Sequence, residues 1–402
     1  MDPLQFLPAW PPDATPLGWV AVLLLAAIVA GESVRRFLRV SRVIGYLAVG
    51  ALLGPAAAGV IDAGTAGQLR IFVDIAVGML LFELGQRVDL SWLRRNPWLL
   101  AASILEAALT FTLVYVAMTW FGIRPLTAAV AALLAMATSP AVVMTVIKDL
   151  RAQGQVTERV MLFTALNTAY AVIGLALTVG LLHDGSHRPA ATMILHPLYL
   201  AGGSLVLAGV LAMVMLSLLR LFGRRPAFQF SATVSLVLLT VAAATMLKLS
   251  VALSLLLLGM LGRLFDHERH FVSLKFGETA TLFIVLLFAL AGTSLEFAGW
   301  LSAAPLALAF VAARLLGKAV PILLLSWASG LRLRKSSLVS VALMPMSGLA
   351  LLMLHELMQR SPAFAAEIGS AMFLAIAFLA FTGPLATEFA LRRAGEAAED
   401  VG

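Results

Sequence analysis

The chain has 402 residues, of which 61% are hydrophobic and only 12% charged, and its mean hydropathy is +0.99. That apolar share is far beyond an ordinary soluble domain, so the composition describes a polytopic membrane protein. The absence of cysteine excludes disulfides, thiolate metal sites and thiol nucleophiles, and despite a net charge of +7 nucleic acid is the weaker reading because the basic residues cluster between hydrophobic runs.

At about 20 apolar residues per crossing, the hydropathy gives about thirteen spans. They lie at 17–31, 43–61, 71–87, 97–121, 125–147, 159–182, 196–219, 229–247, 250–262, 279–294, 299–328, 336–355 and 367–390. The first has no small-residue cleavage site after it and reads as a retained anchor. Arg and Lys fix the orientation. With the N-terminus outside and the C-terminus cytoplasmic, 21 of the 28 fall in inner loops and 5 in outer loops, and Arg314 and Lys318 lie inside a span. The expected location is the inner (plasma) membrane.

The longest linker between spans, 183–195, separates six spans from a connecting seventh, with six more to follow. An odd connector puts the two halves in opposite orientation, the plan of inverted-repeat transporters. The expected organisation is one transmembrane domain: a first repeat over 1–182, a linker with the seventh span over 183–225, a second repeat over 226–390 and a short cytoplasmic tail over 391–402. Each half has one interrupted span. The fifth is broken by ATSP, with Thr138, Ser139 and Pro140, and the twelfth by MPMSG, with Pro345, Ser347 and Gly348. A proline removes a backbone donor, so each break frees carbonyls that need ions, water or protein partners.

Thr164, Asn167, Thr168 and Ala171 recur at i, i+3, i+4 and i+7 in the sixth span, giving one polar or small helical face that looks into protein. Glu106 in the fourth span is flanked on its own face by Ser103, Ala107 and Thr110, and Arg314 and Lys318 are one turn apart in the eleventh. At 1.5 Å per residue, Glu106, Asn167 and Lys318 all lie about 14 Å from the cytoplasmic surface. Ionised groups at that depth cost about 3 kcal/mol or more unless paired, which marks a functional site or a buried ion pair that locks helices together. Glu83 can pair with Arg87 one turn on, near the inner end of the third span.

Taken in order, these stretches resemble the monovalent cation:proton antiporter-2 family, which includes the Kef-type potassium efflux systems. GYLAVGALLGP (45–55), LLFELGQRVDLSWLRR (80–95), ATSPAVV (137–143), RLLGKAV (314–320) and LMPMSGLALLM (343–353) carry the resemblance over nearly all of 17–390. It implies a homodimer in which a core with two crossed broken helices moves against a scaffold, elevator fashion. It also implies one carboxylate, on the sixth span, for which cations and protons compete. Here Asn167 is followed by Thr168, which cannot titrate. No GxGxxG follows the last span, so no nucleotide-binding tail is expected.

The reading is an all-α membrane protein that exchanges a monovalent cation, Na+ or K+, for protons. Glu106 replaces the lost acid, Thr138, Ser139, Asn167 and Thr168 supply neutral oxygens, and Arg314 and Lys318 balance charge. No cofactor and no metal beyond the transported ion are expected. Two other readings keep the scaffold: transport of an anion or organic solute on the two basic residues, and a degenerate copy that does not transport. An intramembrane enzyme is disfavoured, since no HExxH, GxSxG or paired catalytic aspartate appears in a span.

Overall fold

The computed structural model of the chain describes residues 16–38, 41–55, 57–60, 70–87, 96–182, 190–222, 226–265, 278–293, 300–346, 350, 353–354, 357–358 and 361–398. Among these the regular structure is helical. The helices are α1 (Pro16–Ser33), α2 (Val43–Leu53), α3 (Arg70–Arg87), α4 (Pro97–Trp120), α5 (Pro125–Met136), α6 (Pro140–Leu150), α7 (Gln155–Leu182) and α8 (Ala190–Phe222). They continue with α9 (Pro226–Met246), α10 (Val251–Phe265), α11 (Glu278–Thr293), α12 (Trp300–Leu324), α13 (Leu333–Ala342) and α14 (Ser370–Arg393).

Every expected span contains helix. Seven described helical stretches, one of them α5 and α6 taken together, are long and apolar enough to cross a membrane, and the apolar helices of the second, third, ninth and tenth spans are shorter. The second is shorter than expected because Gly54 turns extended and Pro55 follows, so the helix stops at Leu53. The outer surface is apolar. Large apolar side chains are exposed along many helices and at their ends, Leu301 at 95% and Trp327 at 91% among them, which suits a surface that faces lipid. The chain is a multi-pass membrane protein.

The helices pack as two bundles. In one, α4 lies along α12, and α5, α6, α7, α13 and α14 surround that pair. In the other, α2 lies along α11 and α3 along α10, with α1, α8 and α9 beside them. The bundles touch where α3 meets α6 and α7, α7 meets α8 and α10, and α2 meets α14.

Glycine decides the closest approaches. A Cβ on Gly50 of α2 would strike the Ala289 carbonyl, and one on Gly292 of α11 the Leu47 carbonyl. Likewise Gly85 of α3 sits on the Leu256 carbonyl, and Gly259 of α10 on that of Phe82. The second-span helix therefore crosses the tenth, and the ninth crosses the third, through the same glycine-on-glycine contact. Exchanging the second span for the ninth and the third for the tenth turns one crossing into the other.

Candidate functional site

The fifth span breaks where the sequence requires it. Pro140 cannot continue a helix from α5, so Ala137 turns extended and Ser139 becomes the N-cap of α6, its hydroxyl accepting from the Val142 amide. On the other side α13 stops at Ala342, and Pro345 lies in the non-helical segment that follows. The two interruptions touch: the Ser139 amide donates to the Pro345 carbonyl at 2.9 Å, and the Thr138 hydroxyl lies 3.5 Å from the Leu343 carbonyl. Ser347 and Gly348 lie outside the described residues.

Carbonyls freed by both breaks converge on Arg314. Its guanidinium donates to Ala135 at 2.9 Å, Ala137 at 2.9 Å and Met344 at 2.8 Å, with longer contacts to Leu343 and Pro345. A planar fork with five donors suits this task, since the C-terminal ends of α5 and α13 both present unsatisfied carbonyls and partial negative charge. The side chain is completely buried.

One turn on, Lys318 reaches the same break from the other side. Its ammonium donates to Glu106 Oε1 at 2.7 Å and to the Met136 carbonyl at 3.1 Å, with neither charged side chain more than 1% exposed. The pair is possible because α4 and α12 come backbone to backbone there: a Cβ on Gly317 would collide with Thr110. Lys318 thus takes its counter-ion from α4.

The polar face of α7 is buried as expected, with Thr164, Asn167, Thr168 and Ala171 all at 0–1% exposure. The Asn167 amide nitrogen lies 3.5 Å from the Thr138 hydroxyl. The Thr168 hydroxyl is directed at two carbonyls, Thr138 at 3.3 Å and its own helix at Thr164, 2.7 Å. Several buried oxygens have no hydrogen-bond partner among the described residues: Glu106 Oε2, Thr110 Oγ1 and Asn167 Oδ1. A buried acceptor without a donor costs about 1–3 kcal/mol, so each of these atoms is expected to be met by water or an ion.

Glu106, Thr138, Asn167, Thr168, Arg314 and Lys318 therefore gather around the crossing of the two breaks, together with Ser139 and the described prolines Pro140 and Pro345. Glu83 is engaged by Lys148 of α6 at 2.7 Å, a contact across the chain that local spacing does not disclose, and the Arg87 side chain lies outside the described residues. Sequence reasoning missed Tyr170, whose hydroxyl lies 3.3 Å from that of Ser103. It also missed Thr387 of α14, which donates to the Ala342 carbonyl at 3.1 Å. A signal for Thr387 was present: Gly383 and Thr387 repeat the i, i+4 spacing of Thr164 and Thr168.

The sequence profile of the family described as "Sodium/hydrogen exchanger, transmembrane" matches residues 20–393. No curated protein matches the sequence. Among solved structures, the sodium proton antiporter MjNhaP1 from Methanocaldococcus jannaschii at pH 8 superposes with a TM-score of 0.67 at 15% identity, covering 94% of this chain and 95% of that one. An electron-microscopy map of the same antiporter gives a TM-score of 0.67 at 16% identity, over 94% and 96%. These likenesses extend to the fold.

Proposed function

The chain belongs to the sodium/hydrogen exchanger family, and from that premise we propose that it exchanges a monovalent cation, Na+ or K+, for protons, with Glu106 as the carboxylate for which the two compete. The observation that carries this reading is the buried carboxylate itself. One of its oxygens is held by Lys318, and the other, also buried, has no donor among the described residues.

A hard monovalent cation prefers oxygen ligands, and Glu106 Oε2, Thr110 Oγ1, Asn167 Oδ1 and the Thr138 hydroxyl are the candidates. Ser139 supplies a further neutral oxygen. Cation, proton and the Lys318 ammonium are then rivals for one carboxylate, so binding of any one weakens the others. That is the coupling an antiporter needs. Thr168, where the resemblance expects an acid, takes no part in proton exchange, and Arg314 balances charge while holding the breaks.

Alternating access follows from the two bundles, the one with the breaks sliding against the other in an elevator exchange. The crossings Gly50–Gly292 and Gly85–Gly259 support the assignment of inverted repeats to 1–182 and 226–390. A homodimer in the plasma membrane, N-terminus outside, completes the proposal. The anion reading has less support, because Arg314 and Lys318 already serve carbonyls and Glu106.

The test is proton movement driven by Na+, K+ or Li+ in everted vesicles. Glu106→Gln is expected to reduce it to background while the protein still runs as a single species on gel filtration. Undiminished movement removes Glu106 from the mechanism, and thermal stabilisation by organic anions but by none of these cations replaces the cation reading with the anion one.

A further inference from the structure

We infer that Thr168 and Thr387 are equivalent positioning residues, one for each repeat, that fix the carbonyls of the two helix breaks through the same hydroxyl contact. The inference rests on the exchange reading for its functional consequence but on geometry alone for the contact.

In the first half, the Thr168 hydroxyl lies 3.3 Å from the Thr138 carbonyl, inside the break, and 2.7 Å from the Thr164 carbonyl one turn back on its own helix. In the second half, the Thr387 hydroxyl lies 3.1 Å from the Ala342 carbonyl, at the edge of the break, and 3.0 Å from the Gly383 carbonyl one turn back. Both hydroxyls are buried, at 1% and 0% exposure. The carrier helices are the sixth and the thirteenth spans, and the broken ones the fifth and the twelfth. The correspondence is the one under which the two glycine crossings of the other bundle also exchange.

Each hydroxyl has a single hydrogen, shared between its own helix and a carbonyl that the break has orphaned; the share is nearly even at Thr387, 3.1 against 3.0 Å, and leans toward the helix at Thr168, 3.3 against 2.7 Å. The neighbouring carbonyls of both breaks hold Arg314, and the Met136 carbonyl holds Lys318. Displacing Thr138 or Ala342 therefore moves the platform on which the Glu106–Lys318 pair rests. Packing limits the alternatives on α14: a Cβ at Gly383 would strike Pro345, so the helix can approach this break only through a glycine, with Thr387 one turn further on.

Valine keeps the shape of threonine and removes the hydroxyl, and serine keeps the hydroxyl. Amide hydrogen exchange of the purified protein reads the contact without any transport. In Thr387→Val, peptides covering 341–346 are expected to exchange about tenfold faster while those covering 137–142 change less. Thr168→Val is expected to give the reverse, and serine at either position to restore the native rates.

In vesicles, both valine variants are expected to raise the cation KM about fivefold with less than a twofold change in turnover, and serine to recover it. Unchanged exchange in the valine variants, or serine that restores nothing, overturns the inference. If the wild-type protein moves no protons but the exchange pattern holds, the transport reading fails and the paired contact stands.

Discussion

Lys148 and Glu83 meet at 2.7 Å across the seam between the two bundles, α6 supplying the ammonium and α3 a carboxylate that is only 7% exposed. Two further pairs bridge the seam at the same arginine-rich end, Arg42 with Asp149 of α6 and Arg35 with Glu388 of α14, each at 3.4 Å. The proposed sliding of one bundle past the other would separate them. The chain has no cysteine, so one introduced thiol reports on the seam. In a Thr145→Cys background, one turn before Lys148, Glu83→Gln is expected to speed maleimide labelling severalfold, about what the loss of 1 kcal/mol of closing energy gives. Equal labelling with and without Glu83 would show that this pair does not hold the seam.

The Glu106–Lys318 pair is expected to behave as a unit in thermal unfolding. Lys318→Met leaves a buried carboxylate without its cation and is expected to cost about 3–5 kcal/mol. The double variant Glu106→Gln, Lys318→Met removes both charges and is expected to recover most of that loss while abolishing cation-driven proton movement. Additive losses in the double-mutant cycle would mean that the 2.7 Å contact carries no coupling.

Arg314→Lys is not conservative at this site. An ammonium cannot span Ala135, Ala137 and Met344 with in-plane donors, so several carbonyls at two helix ends lose their partners. The expected cost is about 3 kcal/mol, read as a lower Tm in detergent, with Arg314→Met at least as severe. A Tm within a degree of the native value would contradict the assignment of Arg314 to the crossing.

Both helix breaks were legible because Pro140 and Pro345 each end a helix by removing a donor, a local effect that needs no knowledge of the fold. That Glu106 and Lys318 lie at one level was legible from 1.5 Å per residue, and their side chains do meet at 2.7 Å. What one helix cannot disclose is the direction of its partner. Arg314 reads as a counter-ion in sequence, yet in the fold it serves carbonyls from two interruptions about thirty residues from one side and far more from the other. Glu83 has a plausible partner four residues on, and its described partner is Lys148, 65 residues away. Thr387 carries no charge and no proline, so only its repetition of the Thr168 pattern could have drawn attention to it.

Gly317 sets the distance between α4 and α12 at the pair. Gly317→Ala places a methyl group against the Thr110 backbone and is expected to cost about 1–3 kcal/mol, and to weaken cation-driven transport along with stability. Gly202 of α8 has open space where a Cβ would go, so Gly202→Ala is the control and is expected to be neutral or slightly stabilising. Equal effects at the two glycines would remove the close approach as the cause.

The chain's last described turn is tied into the same bundle. Glu396 accepts from the Val156 amide at 2.9 Å, the Thr157 amide at 2.8 Å and the Thr157 hydroxyl at 2.9 Å, so it caps the N-terminus of α7, the helix that carries Asn167. Its backbone carbonyl accepts from the Gln153 amide, and the Ala398 amide donates to Leu150 at the end of α6. Gly154 makes room, since a Cβ there would meet the Glu396 carboxylate. A carboxylate on a helix N-terminus is stabilised by the unsatisfied amides and by the helix dipole, so Glu396→Ala is expected to cost about 2 kcal/mol. The loss is expected to appear as faster amide exchange over 155–158 with no change at 137–142, because the cap acts on the first turn of α7 and the break is held independently by Thr168 and Arg314. Faster exchange spreading to both segments at once would mean that the tail stabilises the bundle as a whole and not the helix end it caps.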